Sequence, residues 1–377
     1  MTVRGTDSTM AIETVGSGSY EADDVLFLLQ PTEITPTPLE ERERLIATGE
    51  KHYSDMIGFE DRPSRIRMAL FREALSLNGE RLSNDIITLA QAIIASANCN
   101  ISIVSIARAG TPVGILLLRT IRLLCPGLAV RHYSVSVIRD RGLDLNALRW
   151  IATQNELRGV RFVDGWTGKG TIAMALRESL AGSEFRNAEL DAGLWVPLDI
   201  CGVSTYAASR QDYLIPSTIL GGTISGLISR SVFPSPTGDQ TGFHQCVVLD
   251  DLRRYDISRL FIEAVLELIK EKLPHRLKVL SNFKDAGNSS DSNPVESFLS
   301  STLEAHGMTD RNRVKIGIGE TVRVLLRRKP EFVYLSDSIL EAEANLITRL
   351  ADERGISIQR VSNQPFEAVA LIHEPHV

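Results

Sequence analysis

Cysteine is scarce in this chain. Cys99, Cys125, Cys201 and Cys246 are scattered over 377 residues without a CxxC pair. That excludes a disulfide framework and a zinc ribbon and points to a reducing interior. Long hydrophobic runs are lacking too. The greasiest stretch, 111–130, is broken by Arg119 and Arg122, so no membrane span is expected. Residues 1–20 are polar and lack the apolar centre of a secretory signal, and a cytoplasmic location is expected. Positive charge is not in excess: 41 Lys and Arg stand against 47 Asp and Glu. Nucleic-acid binding over the whole surface is therefore excluded, whereas a local basic patch is not. The histidines show no metal-ligand spacing, and no zinc site is expected. What is present suffices for a core: 43% of residues are hydrophobic and 23% charged, which excludes disorder over most of the length.

Residues 1–18 read as a loose tail. Residues 38–98 carry apolar positions at helical spacing in RIRMALFREAL and NDIITLAQAIIAS, and read as a helical N-terminal segment. From residue 101 the pattern changes. ISIVSI, HYSVSVI, GVRFVD and LWVPLDICG read as strands, and TPVGILLLRTIRLL, NALRWIATQ and TIAMALRESL as the helices between them, with Pro112 in the first turn of its helix. This alternation predicts βαβ units and a Rossmann-like parallel sheet, an α/β fold. DAGNSSDSNP (285–294) is a polar, turn-rich run. The expected division is a tail over 1–18, an α/β domain over 19–284, a linker over 285–310 and a small α/β domain over 311–377.

Two loops carry chemistry. RFVDGWTGKGTIA (161–173) brings Asp164 to the carboxyl edge of the sheet, where open α/β folds bind ligands, and then opens a helix. Gly165, Gly168 and Gly170 let backbone amides approach an anion at the helix N-terminus. Thr167 and Thr171 add hydroxyls and Lys169 a positive charge. Asp164 is placed to hold sugar hydroxyls or magnesium. Neither GxxxxGK[ST] nor GxGxxG is present, and a ligand-free glycine-rich turn is the plain alternative. VSIARAGTPVG (104–114) is a second strand-to-helix loop. Its Arg108 can neutralise an anion bidentately beside the amides of Ala109 and Gly110.

VDGWTGKGT resembles the PRPP-binding loop of type I phosphoribosyltransferases, and IARAGTPVG their pyrophosphate-binding loop. Gly165 stands where that family usually has a second acid. With SGSYEADDVLFLLQP, HYSVSVIRDRGLD, DYLIPSTILGGTISGLISR and FHQCVVLDDL, the chain over 16–377 resembles one branch. That branch is the phosphoribosyltransferase family with a C-terminal Pelota-like RNA-binding domain from tellurite and stress-response (Ter) gene clusters, also described as StiP-like cysteine proteases. The resemblance implies a phosphoribosyltransferase core over 19–284 and a Mg²⁺-dependent transfer from PRPP to a small acceptor, releasing pyrophosphate in nucleoside-like metabolite synthesis. On that reading Arg108, Ala109 and Gly110 hold the pyrophosphate. Gly165, Trp166, Thr167, Gly168, Lys169, Gly170 and Thr171 hold the 5-phosphate, Asp164 faces ribose or magnesium, and Arg139 and Arg141 close over the site. A homodimer is a further implication.

In SRQDYLIPSTILGGTISG (209–226), Arg210, Asp212 and Tyr213 are the candidates to read an acceptor base, Tyr213 by stacking; an ordinary packed loop is the alternative. Two other function classes fit the sequence: a non-catalytic PRPP or nucleotide sensor, and a cysteine protease resting on His244 and Cys246. Those two residues share one face of a strand about 6–7 Å apart. Residues 311–330 hold seven Lys and Arg against the single acid Glu320. Lys315, Arg323, Arg327, Arg328 and Lys329 are the candidate RNA contacts, with shape recognition favoured because aromatics are few.

Overall fold

The computed structural model describes residues 1–4, 11–233, 242–276 and 294–372. The chain begins with two strands, β1 (Thr2–Arg4) and β2 (Ala11–Glu13), paired antiparallel, and two short ones, β3 (Leu26–Phe27) and β4 (Gln30–Pro31). Residues 1–18 are therefore not a loose tail throughout: Thr14 is buried and its backbone amide bonds the Met1 carbonyl at 2.7 Å. Helix α1 (Leu39–Ala47) and the long α2 (Arg65–Ser96) fill most of the expected helical segment. Between them Gly49, Gly58 and Pro63 interrupt helical spacing, and α2 restarts at Ser64, whose hydroxyl caps the Arg67 amide at 3.1 Å.

The βαβ run follows as expected. It comprises β5 (Ile101–Ile106), α3 (Gly110–Leu124), β6 (Val130–Val135), the small hairpin of β7 (Val137–Ile138) and β8 (Gly142–Leu143), then α4 (Leu145–Gln154) and β9 (Val160–Val163). After these come α5 (Thr171–Ala181), β10 (Leu194–Leu198) and β11 (Tyr206–Ser209). Six strands form one parallel sheet in the order β11-β10-β9-β5-β6-β3. Every residue of β5, β9 and β10 is buried. Central parallel strands are covered on both faces, so even the polar Ser102, Ser105 and Arg161 of these segments are buried. Past the sheet, β12 (Gln245–Cys246) pairs with β4, and α6 (Ser258–Arg276) packs on α2 and α3.

The C-terminal unit starts earlier than the sequence suggests. Helix α7 (Pro294–Ala305) occupies part of the expected linker 285–310, and its Val295 and Leu299 are buried against β13 (Val314–Ile316) in a core shared with Phe366 and Leu371. Residues 285–293 lie outside the described residues. Next come α8 (Ile318–Arg327), β14 (Phe332–Ser336), α9 (Glu341–Glu353), β15 (Ile358–Val361) and β16 (Ala368–Leu371). Their four-stranded mixed sheet has the order β13-β16-β14-β15. The molecule is thus a mixed α/β protein with a six-stranded parallel sheet and a separate small α/β unit.

The small unit docks on the large one through α8 and α9. Ile318 and Val322 join the core cluster that holds Tyr213, Ile215 and Ile219. The Ile318 amide, at the start of α8, donates to Asp212 at 2.9 Å, an acid at the positive end of a helix.

Candidate functional site

The two glycine-containing loops lie at the carboxyl ends of β5 and β9, neighbours in the sheet. They are packed together so tightly that a Cβ on Gly110 would stand 2.7 Å from the Val163 carbonyl oxygen. Only glycine allows α3 to begin there. Gly170, at the N-terminus of α5, has φ +83° and faces Val203. It provides the left-handed turn that swings the chain from the loop into the helix. The Ala107–Arg108 peptide bond is cis.

The C-terminal unit covers this sheet edge. Trp166 donates its indole N–H to Glu320 at 3.3 Å, Lys169 Nζ donates to the Arg311 carbonyl, and Arg323 stacks over the Trp166 ring. Between the two units and the 37–63 connection lies a cleft of about 720 Å³. Its lining includes Arg108, Arg139, Asp164 and the 166–171 loop from one side and Lys315, Glu320, Arg323, Arg327 and Arg328 from the other. Eleven arginines and lysines line it against four carboxylates, in a chain that is acidic overall.

The electrostatics follow from this crowding. Arg108 is buried, pairs with Glu60 and donates to the Ile228 carbonyl at 2.7 Å. Burial pushes the Glu60 carboxyl upward, but Arg108 and Arg327 outweigh it and leave the group below its usual range. Burial drives Asp164 up to about 7, with Glu320 adding to the effect and the Gly165 amide and Arg323 opposing it. Burial also takes Lys169 down to about 8 and Arg230 down to about 10. Arg327 stays accessible within the cleft, yet burial lowers it to about 9, and Arg323 and Arg108 repel its charge further. Among the described residues Arg42, Lys315 and Arg327 have no side-chain hydrogen bond or ion pair. Among the described residues no group of three or more His, Cys, Asp or Glu side chains comes together for a metal ion. Asp164 has the Arg323 cation acting on it, a poor neighbour for a divalent cation.

The structure brings many of the expected residues to one place: Arg108, Arg139, Asp164, Trp166, Thr167, Gly168, Lys169, Gly170 and Thr171 all line the cleft, as do Lys315, Arg323, Arg327 and Arg328. Ala109, Gly110 and Gly165 form the packed turns behind it. Arg141 turns away, pairing with Asp55 at 2.7 Å and stacking on Phe233. The acceptor-reading trio does not assemble. Tyr213 is fully buried, with its hydroxyl on Asp85 at 2.7 Å and Arg81 over its ring, so it has no face for a base. Asp212 is occupied by α8, and Arg210 is exposed. Glu60, Arg42 and Arg230 also belong to the cleft; Glu60 and Arg230 sit in irregular segments and Arg42 on the short helix α1, with no motif to mark them.

The thiols lie outside the cleft lining. Cys246 is fully buried, and burial pushes it up to about 12, although Arg108 pulls the other way. Cys201 is half-buried and also pushed up to about 12 by burial, with Asp199 and Asp212 adding to it. His244 bonds Ser136 Oγ through Nδ1 at 2.9 Å, and its backbone amide donates to the buried Asp144 at 2.5 Å. Burial lowers the imidazole's pKa, with Arg141 also lowering it and Asp144 opposing. No cysteine hydrogen-bonds a histidine among the described residues.

Residues 18–266 match the family described as tellurite-like stress resistance cysteine protease StiP, and residues 295–374 match the PELOTA RNA-binding domain. A protein of Acinetobacter baylyi named cysteine protease StiP is 38% identical over 368 residues, covering 95% of this chain and 94% of its own length. These matches overturn the phosphoribosyltransferase expectation, and with it PRPP as co-substrate and the nucleoside-synthesis role: the similarity points to a hydrolase, not a transferase. The magnesium expectation had rested on that transfer reaction. The large unit is the matched region, and the relative aligns through both units, so the chain belongs to the StiP family.

Proposed function

We propose that the chain is a cysteine-dependent hydrolase of peptide bonds, with Cys246 as nucleophile and His244 as proton acceptor. The similarity to a protein named cysteine protease supplies the reaction class. The observation that carries the assignment within the chain is the position of Cys246: it follows His244 by two residues into β12, and the Arg108 guanidinium acts on its thiol. Burial holds the thiol protonated in this arrangement, and the Arg108 cation is the influence opposing it, toward the thiolate that attacks. Burial favours the neutral imidazole, which is the form that accepts a proton.

In the reaction the thiol proton passes to the imidazole, and sulfur adds to the peptide carbonyl carbon. The C–N bond breaks as the amine takes the proton from the imidazolium, leaving a thioester. Water then adds to the thioester, the acid departs and the thiol is restored. The closed arrangement seen here, with His244 bonded to Ser136 and the thiol buried, is the resting form on this reading.

Peptide hydrolysis by the full chain tests it, using a casein or peptide-library substrate followed by mass spectrometry. Cys246→Ser is expected to abolish cleavage while Cys99→Ser, Cys125→Ser and Cys201→Ser retain it. Full activity in Cys246→Ser removes the nucleophile assignment. Activity persisting with all four cysteines replaced removes the thiol mechanism.

A second reading concerns the C-terminal unit, whose match to the PELOTA RNA-binding domain favours RNA as a partner. Retention of RNA by the full chain at low salt tests it.

A further inference from the structure

The unpartnered cations of the cleft come from both units. Lys315 and Arg327 belong to the C-terminal unit, and Arg42 to α1 of the N-terminal unit. Arg42 and Lys315 are partly buried, Arg327 is exposed within the cleft, and none of the three has a carboxylate bonded to it. Like charges held together at partial burial disfavour one another, and the arrangement is relieved when an anion enters. Lys169 and Arg230, on the other wall, donate only to backbone carbonyls.

Beside these cations stands an aromatic ring that the fold does not use. Phe59 is 65% exposed and lines the cleft. An exposed phenylalanine among arginines and lysines is the composition of a single-strand nucleic-acid groove, in which the ring stacks a base and the cations track the phosphates. At about 720 Å³ the cleft has the size of a ligand pocket. It has no room for an A-form duplex, whose readers instead span two successive minor grooves across its outside.

We infer that RNA is held by both units together, as a single strand in this cleft, with Phe59 stacking a base and Lys315 and Arg327 facing Arg42, Lys169 and Arg230 across the phosphates. The inference rests on the RNA reading of the C-terminal unit and extends it. The StiP-matched unit supplies half of the site, and the basic segment 311–330 turns its Lys315, Arg323 and Arg327 inward and not onto an outer face.

The experiment is fluorescence anisotropy of the full chain with a labelled 12-mer of oligo(U) and with a duplex of the same length, from 50 to 300 mM salt. Wild type is expected to prefer the single strand. Phe59→Ala is expected to weaken single-strand binding about tenfold, in line with the energy of one stacked base. Lys315→Ala with Arg327→Ala is expected to weaken it further and to reduce the slope of log K against log salt by about two. Arg253→Ala, outside the cleft, is expected to change nothing, and thermal unfolding should show the cleft variants at least as stable as wild type. Wild-type affinity in Phe59→Ala and in the double variant overturns the cleft while leaving RNA binding itself standing. Equal affinity for duplex and single strand overturns it as well. No RNA binding by wild type at 50 mM salt overturns both the cleft and the RNA reading beneath it.

Discussion

The side-chain amide of Asn78, midway along α2, donates to Glu343 of α9 at 2.7 Å, and both residues are buried. The same carboxyl oxygen accepts from the Leu214 amide at 3.1 Å, and Asn78 donates again to the Leu214 carbonyl at 2.9 Å. One polar cluster therefore ties the N-terminal helix, the 209–226 segment and the C-terminal unit together. Burial raises the Glu343 carboxyl's pKa, opposed by the bonds from Asn78 and Leu214.

Glu343→Ala leaves two buried donors without an acceptor, which costs about 1–3 kcal/mol. Glu343→Gln keeps an acceptor oxygen and should lie close to wild type. Calorimetry should show the alanine variant melting lower, with the two units separating into two transitions. A single unshifted transition in Glu343→Ala would mean that the cluster does not hold the units together.

Glu60 and Arg108 make a second such test. Glu60→Gln removes the charge opposite a buried guanidinium that retains its bond to the Ile228 carbonyl. A loss of about 1–3 kcal/mol is expected at pH 7. Because Glu60 sits below its usual range, its stabilisation is present above the unfolded carboxyl pKa and is lost as pH falls through the folded value. The gap between variant and wild type should thus narrow toward pH 3. The freed Arg108 should also strengthen RNA binding in the cleft. Denaturant melts across pH, with anisotropy at pH 7, check both parts.

Asp164 has the opposite sign. Its folded pKa of about 7 lies above the ordinary carboxyl value, so the folded state holds a proton that the unfolded state has lost. Stability falls as pH rises from about 4 to about 7. Asp164→Asn keeps an acceptor for the Gly165 amide, which Asp164 now meets at 2.7 Å, without the buried charge. It should match wild type near pH 4 and melt at least about 2 °C higher at pH 8. A variant that melts lower at pH 8 would show that the ionised carboxylate is favoured there, by Arg323 or by a ligand.

Much of the fold was legible because buried parallel strands and amphipathic helices write themselves into spacing: β5, α3, β9, α5 and β10 all lie where their patterns put them. The cleft was half legible. Asp164, Lys169 and Arg108 sit on strand-to-helix loops, whose glycine content betrays them. Glu60, Arg42, Arg230 and Phe59 reach the same cleft from irregular chain or a short exposed helix, where no period exists to read. Tyr213 misled for a related reason: a polar, glycine-rich segment suggests a surface loop, but its aliphatic residues Leu214, Ile215 and Ile219 carry it into the core. The reaction class was not written in the loops at all. Anion-binding turns serve many chemistries on α/β sheets, and the nucleophile assigned here stands on a two-residue strand without a local signature.

The order in which the thiols react follows from their surroundings. Cys99 and Cys125 are partly exposed, whereas Cys201 and Cys246 are both pushed up to about 12 by burial and are protonated at neutral pH. Since the thiolate is the attacking species, iodoacetamide at pH 8 should label Cys99 and Cys125 in the native protein at least tenfold faster than Cys246, with peptide mass spectrometry reading each site. Urea should abolish the difference, because unfolding returns every thiol to its ordinary range. A productive substrate complex must bring the Cys246 thiol out of its buried state, so peptide substrate added at saturation should raise the Cys246 rate selectively in a His244→Ala background that cannot turn over. Labelling of Cys246 first, in the native protein and without substrate, would place the reactive form in the unliganded state and contradict the closed resting arrangement. Labelling unaffected by substrate would point away from Cys246 as the nucleophile, and toward Cys201, which lies within reach of the Lys169 charge.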